Sequence, residues 1–106
     1  MDWQIYYRSI KGEMIRTLKN LVQLESPTTN KKAVDICSEA VVKEISNLGL
    51  KIKKMPQKET GDFYLIEFIP RVKTEDKPIL LLGHTDTVWP VGTLKKMPFY
   101  IEGAWV

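Results

Sequence analysis

The chain has 106 residues, of which 43% are hydrophobic and 27% charged, and its formal net charge is +3. This length allows one domain at most, because domains usually contain about 100–150 residues, and the apolar fraction is too high for an intrinsically disordered protein. No apolar run approaches the roughly 18–20 residues that cross a bilayer, and the N-terminus lacks the apolar core of a secretory signal. We therefore expect no membrane association.

The chain contains a single cysteine and a single histidine. One cysteine cannot form an internal disulfide, so a disulfide-stapled secreted scaffold is excluded and a reducing, cytoplasmic location is expected. A zinc site built only from histidine and cysteine needs four ligands and cannot form within this chain. Cys37 falls on the apolar side of a predicted helix and is expected to be a small core residue.

The positive charge is dispersed along the chain. Basic residues such as Lys51 and Lys73 are interleaved with acidic residues such as Asp35 and Glu67. Nucleic-acid modules usually cluster their basic residues on one face and combine them with stacking aromatic residues. The charge pattern is instead typical of a solvated surface, and no nucleic-acid partner is expected.

Two amphipathic helices are predicted in the first half of the chain. Apolar residues recur at helical spacing over residues 6–24, and this helix has to end before Pro27, which cannot continue the hydrogen-bond ladder. The polar residues 28–30 can cap a second helix. That helix ends at Gly49, where a left-handed C-cap is expected.

Strands are predicted after Gly49, where the apolar period changes from 3.6 to 2. Residues 50–55 and 63–69 read as two strands, and the unbroken apolar run Ile79–Leu82 is typical of a strand covered on both faces. Two helices and these strands predict an α/β domain in which the helices pack on a mixed sheet.

The last residues predict a hairpin that the chain does not complete. Residues 99–101 and 104–106 are short apolar strands on either side of a Glu102–Gly103 turn. A domain rarely ends within an apolar strand, so truncation is expected. The exposed edges of these strands would favour self-association.

Chemistry is expected at His84 and Asp86, which directly follow the apolar run. Ligands of open α/β sheets bind beyond the carboxyl ends of the strands, and residues two apart in an extended segment project to the same side. A carboxylate there could hold the imidazole ring in the tautomer that binds a metal. The alternative is a histidine satisfied by local hydrogen bonds beside an aspartate in a turn, and the spacing by itself leaves both open.

A wider pattern surrounds this pair. The sequence of residues 79–88, ILLLGHTDTV, closely resembles the first metal-ligand motif of the co-catalytic zinc metallopeptidases of family M20, which include glutamate carboxypeptidase, acetylornithine deacetylase and succinyl-diaminopimelate desuccinylase. Residues 21–28, 47–50 and 92–105 are also similar to segments of that family. The resemblance implies that residues 1–106 are the N-terminal portion of a zinc-exopeptidase-like catalytic domain, truncated and without a second domain.

The resemblance assigns roles to two residues. His84 corresponds to a ligand of one of two zinc ions, and Asp86 corresponds to the active-site aspartate that orients this histidine. The family's bridging aspartate lies in a Gly-Pro-Gly-x-x-Asp stretch that has no counterpart here, and no general base can be assigned. The implied function is that of a zinc-dependent carboxypeptidase or deacylase, a hydrolase that cleaves an amide bond next to a free carboxylate in a peptide or N-acyl amino acid. The isolated chain is expected to be inactive.

A second hypothesis comes from another class of protein. The chain could be a self-contained interaction domain without catalysis that binds a partner chain through a strand edge or through the surface around Trp89 and Trp105.

Overall fold

The computed structural model describes all 106 residues. Three helices and one two-stranded sheet follow one another along the chain. They are helix α1 at Trp3–Val22, helix α2 at Lys31–Ile45, strand β1 at Lys51–Met55, strand β2 at Phe63–Glu67 and the short helix α3 at Thr93–Lys96, with a 3-10 turn at Ser46–Leu48 between α2 and β1. None of the helices combines the length and hydrophobicity required to cross a membrane.

Helix α1 begins three residues before the predicted start, because the Asp2 side chain caps it. The Asp2 carboxylate accepts hydrogen bonds from the backbone N–H groups of Gln4 at 2.9 Å and Ile5 at 3.2 Å. The helix contains no buried residue, and residues of its apolar stripe such as Met14 remain about half exposed. The amphipathic pattern therefore predicts the helix correctly, while the apolar side is largely uncovered.

Helix α2 carries the small core of the structure. Asn30 caps it by accepting a hydrogen bond from the Ala33 N–H at 3.1 Å, and Val34 and Cys37 are its buried apolar residues. The chain leaves the 3-10 turn through Gly49, which has a φ of 68°. The predicted cap, the core position of Cys37 and the left-handed glycine are confirmed.

Strands β1 and β2 form an antiparallel hairpin in which Lys51 pairs with Glu67 and Met55 pairs with Phe63. The prediction of a mixed sheet is wrong for this structure, because these two antiparallel strands are its whole sheet. The hairpin meets α2 through the connection between its strands. Gly61 in that connection lies against Val34, close enough that a Cβ on Gly61 would stand 2.9 Å from the Val34 Cβ.

The prediction of a buried strand at Ile79–Leu82 is also wrong. These residues form no strand, and their exposed fractions range from 80% to 92%. Their N–H and C=O groups make no backbone hydrogen bond. A strand needs a neighbouring strand for its backbone and packed layers for its side chains, and neither lies beside this segment.

The predicted strands at 99–101 and 104–106 are reduced to a single antiparallel bridge. Glu102 and Trp105 exchange backbone hydrogen bonds of 3.1 and 3.0 Å across a turn at Gly103, which has a φ of 60°. The turn therefore lies at residues 103–104, one residue later than the predicted Glu102–Gly103, and the flanking residues stay outside any strand. Helix α3, a single turn of four residues, was not predicted.

The whole chain is more open than a typical domain of its size. Its accessible surface is 9736 Å², whereas a folded monomer of this mass exposes about 6,100 Å². Its radius of gyration is 16.5 Å, compared with about 13 Å for a compact domain of this length. Five of the 106 residues are buried, and they lie around the first half of α2 and where the segment after α1 meets residues 85–87.

Candidate functional site

The structure brings His84 and Asp86 into contact, as their spacing predicts. The Nδ1 atom of His84 lies 2.8 Å from the backbone oxygen of Asp86 and 3.3 Å from its carboxylate Oδ1. A carbonyl oxygen can only accept a hydrogen bond, so Nδ1 carries the proton and the Nε2 lone pair is free in the neutral ring. The side chain of His84 is 80% exposed, which leaves Nε2 accessible to a ligand.

The Asp86 carboxylate is held from its other side by Thr28. The Thr28 hydroxyl donates a hydrogen bond of 2.7 Å to Oδ2 of Asp86. This bond is the largest factor that lowers the pKa of the Asp86 carboxyl below its usual value, and the nearby His84 adds a smaller effect. Asp86 is therefore ionised at neutral pH and presents one oxygen to each neighbour.

Thr28 is in place because the segment after α1 runs beside the residues after His84. The Thr87 N–H donates to the Ser26 oxygen at 2.8 Å, and the Thr28 N–H donates to the Thr87 oxygen at 2.9 Å. These bonds form a parallel bridge between Pro27 and Thr87. The residues on either side of Pro27 make both bonds, so the missing N–H of proline costs nothing here.

Two buried hydroxyl groups, those of Ser26 and Ser38, make hydrogen bonds with Thr85, the residue between His84 and Asp86. The Ser26 hydroxyl donates to the backbone oxygen of Thr85 at 2.6 Å, and the Ser38 hydroxyl lies 2.7 Å from the Thr85 hydroxyl. Ser26 and Ser38 are only 3% and 6% exposed. Buried hydroxyls are costly unless they are hydrogen-bonded, and these bonds join α2 and the segment after α1 to the residues beside His84.

Glu25 binds the backbone at the start of α3. Its carboxylate accepts backbone hydrogen bonds of 2.9 Å from Leu94 and of 2.9 Å from Gly92. These two bonds are the main reason that the pKa of Glu25 is lowered. Residues 25–28 therefore contact both the residues after His84 and the start of α3.

The residues of this chain do not fit a complete zinc site. A catalytic zinc ion needs about three protein ligands, and the structure contains no group of three or more histidine, cysteine, aspartate or glutamate side chains that could hold a metal ion. His84 offers one free nitrogen, and Asp86 has its two oxygens directed to Thr28 and His84. The chain can supply part of a metal site and does not form one by itself.

The sequence pattern did not reveal the residues that position the motif. Ser26 was interpreted only as the break before Pro27, and Thr28 only as a capping candidate. No signal in the sequence separated Thr28 from Thr29 and Asn30 as capping candidates, and only the structure shows that Asn30 caps α2. The roles predicted for His84 as a metal ligand and for Asp86 as its orienting residue stay predictions.

Comparison with known proteins identifies one relative over most of the chain. Over 91 residues, which make up 85% of the chain, the sequence is 31% identical to carboxypeptidase G2 of Pseudomonas sp. (strain RS-16). The chain is similar to part of a carboxypeptidase. The resemblance to the M20 peptidases is thereby confirmed as a distant similarity, and the chain spans 21% of the length of carboxypeptidase G2. No family model matches the chain.

Proposed function

We propose that this chain contributes His84 and Asp86 to the active site of a zinc-dependent hydrolase of the glutamate carboxypeptidase type. The substrate would be a peptide or N-acyl amino acid whose amide bond lies next to a free carboxylate. The observation that carries the proposal is the free Nε2 of His84, held by Asp86, within a chain that is 31% identical to part of a carboxypeptidase.

Each residue of the pair has a defined task in this proposal. Zinc supplies, when bound, Lewis-acid activation of water and of the scissile carbonyl. His84 presents its Nε2 lone pair while its Nδ1–H donates to Asp86, and a carboxylate in this position also raises the basicity of the ring. The remaining ligands and the general base have to come from outside these 106 residues, since no metal-binding group is complete within them.

Zinc binding by the purified chain tests the proposal directly. Because the chain contains a single histidine, it gives one pair of ring ¹⁵N signals. A change in the Nε2 signal on addition of zinc is therefore assigned to His84. We expect weak binding that perturbs Nε2 of His84, no binding above background in His84→Ala, and no zinc-stimulated amide hydrolysis. Tight stoichiometric zinc binding that survives His84→Ala would contradict the role of His84 as a ligand. Zinc-stimulated hydrolysis by the chain alone would contradict the conclusion that its zinc site is incomplete.

The reading frame after codon 106 provides an independent test. An in-frame Gly-Pro-Gly-x-x-Asp sequence would supply the bridging aspartate that the proposal requires. A stop codon together with a well-folded monomer would favour the other class of function, an interaction domain without catalysis. The observation that supports this second candidate is the exposed Ile79–Leu82 segment, whose backbone hydrogen-bonding groups have no backbone partners.

A further inference from the structure

The hydroxyl of Thr28 lies between two acceptors that belong to consecutive residues. It is 2.7 Å from Oδ2 of Asp86 and 3.0 Å from the backbone oxygen of Thr87. The contact with the carboxylate is the shorter of the two, and hydrogen bonds to ionised acceptors are the stronger kind. Thr28 and Asp86 are 58 residues apart in sequence, so this contact exists only because the chain folds back on itself.

The backbone holds Thr28 at this place independently of its hydroxyl. The Thr28 N–H donates to the Thr87 oxygen at 2.9 Å, and the Thr87 N–H donates to the Ser26 oxygen at 2.8 Å. The bridge therefore fixes the Cα of Thr28 beside Thr87, and the side chain reaches back by one residue to Asp86. Removing only the hydroxyl would leave both backbone bonds in place.

His84 lies beside the same carboxylate. Its Nδ1–H donates to the backbone oxygen of Asp86 at 2.8 Å, and Oδ1 of Asp86 lies 3.3 Å from Nδ1, close enough for its charge to act on the ring. The side-chain partners of the Asp86 carboxylate are Thr28 and His84, and no lysine or arginine forms an ion pair with it. When Oδ2 is bonded to Thr28, Oδ1 is directed toward the ring.

We propose that Thr28 is a positioning residue, which orients the Asp86 carboxylate so that Oδ1 faces His84 and, together with the backbone oxygen of Asp86, favours the Nδ1–H form of the histidine. In functional terms this inference rests on the proposed role of His84 as a ligand through Nε2. The effect of Thr28 on the ring tautomer of His84 can be tested without metal or substrate.

The experiment compares Thr28→Val, which keeps the shape of the side chain, with Thr28→Ser, which keeps the hydroxyl. Thr29→Val is the matched control, because Thr29 is an exposed neighbouring threonine. The ratio of the two neutral tautomers of His84 is read from its ring ¹⁵N shifts at about pH 8, above the usual pKa of histidine near 6.5. Hydrogen exchange of the Thr87 amide reports whether the backbone bridge persists.

In Thr28→Val we expect the Nε2–H tautomer to rise about threefold relative to the Nδ1–H tautomer, a change at the lower end of that for one lost hydrogen bond, because the backbone oxygen of Asp86 still accepts from Nδ1–H. Thr87 should stay protected. Thr28→Ser and Thr29→Val should match the unsubstituted chain. Thr28→Ala is a second hydroxyl-free variant and should behave as Thr28→Val does.

An unchanged tautomer ratio in the hydroxyl-free variants would overturn the positioning role. Loss of Thr87 protection that Thr28→Ser fails to restore would also overturn it, because Thr28 would then be a structural residue of the bridge. Failure of the proposed function appears elsewhere, as zinc binding that is insensitive to His84→Ala, so the two failures are distinguishable.

Discussion

At the scale of single residues, Gly61 shows how closely the hairpin approaches α2. It is buried, and a side chain at this position would collide with Val34, whose Cβ would lie 2.9 Å from the new Cβ. Both partners are constrained, since Val34 is itself 6% exposed and the neighbouring Asp62 is tied to α2. The small core of the molecule therefore depends on the absence of a side chain at residue 61.

Gly61→Ala is expected to destabilise the folded chain by about 1–3 kcal/mol, the usual cost of forcing an extra group into a packed site. The matched control is Gly12→Ala in the middle of α1, where a Cβ would meet nothing within 4 Å. Alanine there should stabilise the helix by about 0.5–1 kcal/mol. Urea unfolding followed by circular dichroism measures both, and equal stability of Gly61→Ala and the unsubstituted chain would disprove the contact.

At the scale of elements, an ionic network joins α2 to the hairpin. Asp62, just before β2, accepts hydrogen bonds from Lys31 at 2.6 Å and from the Gln57 N–H at 2.8 Å, and Lys54 lies 3.3 Å from its other oxygen. Asp35 of α2 accepts a bond from the Asp62 N–H at 2.7 Å. Sequence patterning assigned Asp35 to a solvated face, whereas the structure uses it to dock the hairpin.

This network predicts a defined response to acid. The bond from Lys31 is the main reason that the pKa of Asp62 falls from its ordinary value of 3.8 to about 2. A lowered pKa in the folded state means that the stabilisation is complete above about pH 4 and is lost as the pH falls through about 2. The Gln57 amide should therefore keep its folded chemical shift at pH 4 and lose it toward pH 2.

Two variants check the origin of this transition. In Lys31→Met the midpoint should move upward toward the ordinary value of aspartate, because the main favourable partner of Asp62 is gone. In Asp62→Asn the transition at Gln57 should disappear. A midpoint unaffected by Lys31→Met would show that the ion pair does not hold Asp62 in solution.

At the scale of the whole molecule, large apolar side chains are exposed along most of the chain. The segment Ile79–Leu82 exposes four consecutive large apolar side chains together with unpaired backbone groups. Exposed segments of this kind pair readily with other chains. The sequence predicts self-association through residues 99–101 and 104–106, and this remains a proposal. The structure adds Ile79–Leu82 as a further candidate, because it is the most exposed apolar segment of the chain.

The purified chain is expected to associate in sedimentation velocity, with a larger share of oligomers at higher concentration. Replacing Leu80 and Leu82 together by lysine should shift it toward monomer, because two charges would have to be buried on association. Replacing Ile69 and Val72 together by lysine adds the same two charges at exposed residues outside any strand or helix and should have little effect. A chain that is monomeric at every concentration would contradict this expectation.

Local patterns in the sequence were enough to predict both long helices and both strands of the hairpin, with boundaries within a few residues. Asn30 caps α2 and Gly49 adopts a left-handed conformation because such preferences depend on neighbours in the chain. The contact of His84 with Asp86 is local as well, since they are two positions apart in the sequence. The sequence by itself therefore determined the two long helices, the hairpin and the pair on which the proposed chemistry rests.

Only the tertiary structure decided what lies around that pair. The bonds from Ser26 to Thr85 and from Thr28 to Asp86 join residues 59 and 58 positions apart, and no periodicity encodes such a pairing. The opposite error occurs at Ile79–Leu82, where the sequence predicts a buried strand and the structure has none. An apolar pattern shows that a segment can be buried, but burial itself requires neighbouring strands and covering layers. Hydrogen-bond partners and buried surface are properties of the assembled chain, so they depend on which segments meet in space.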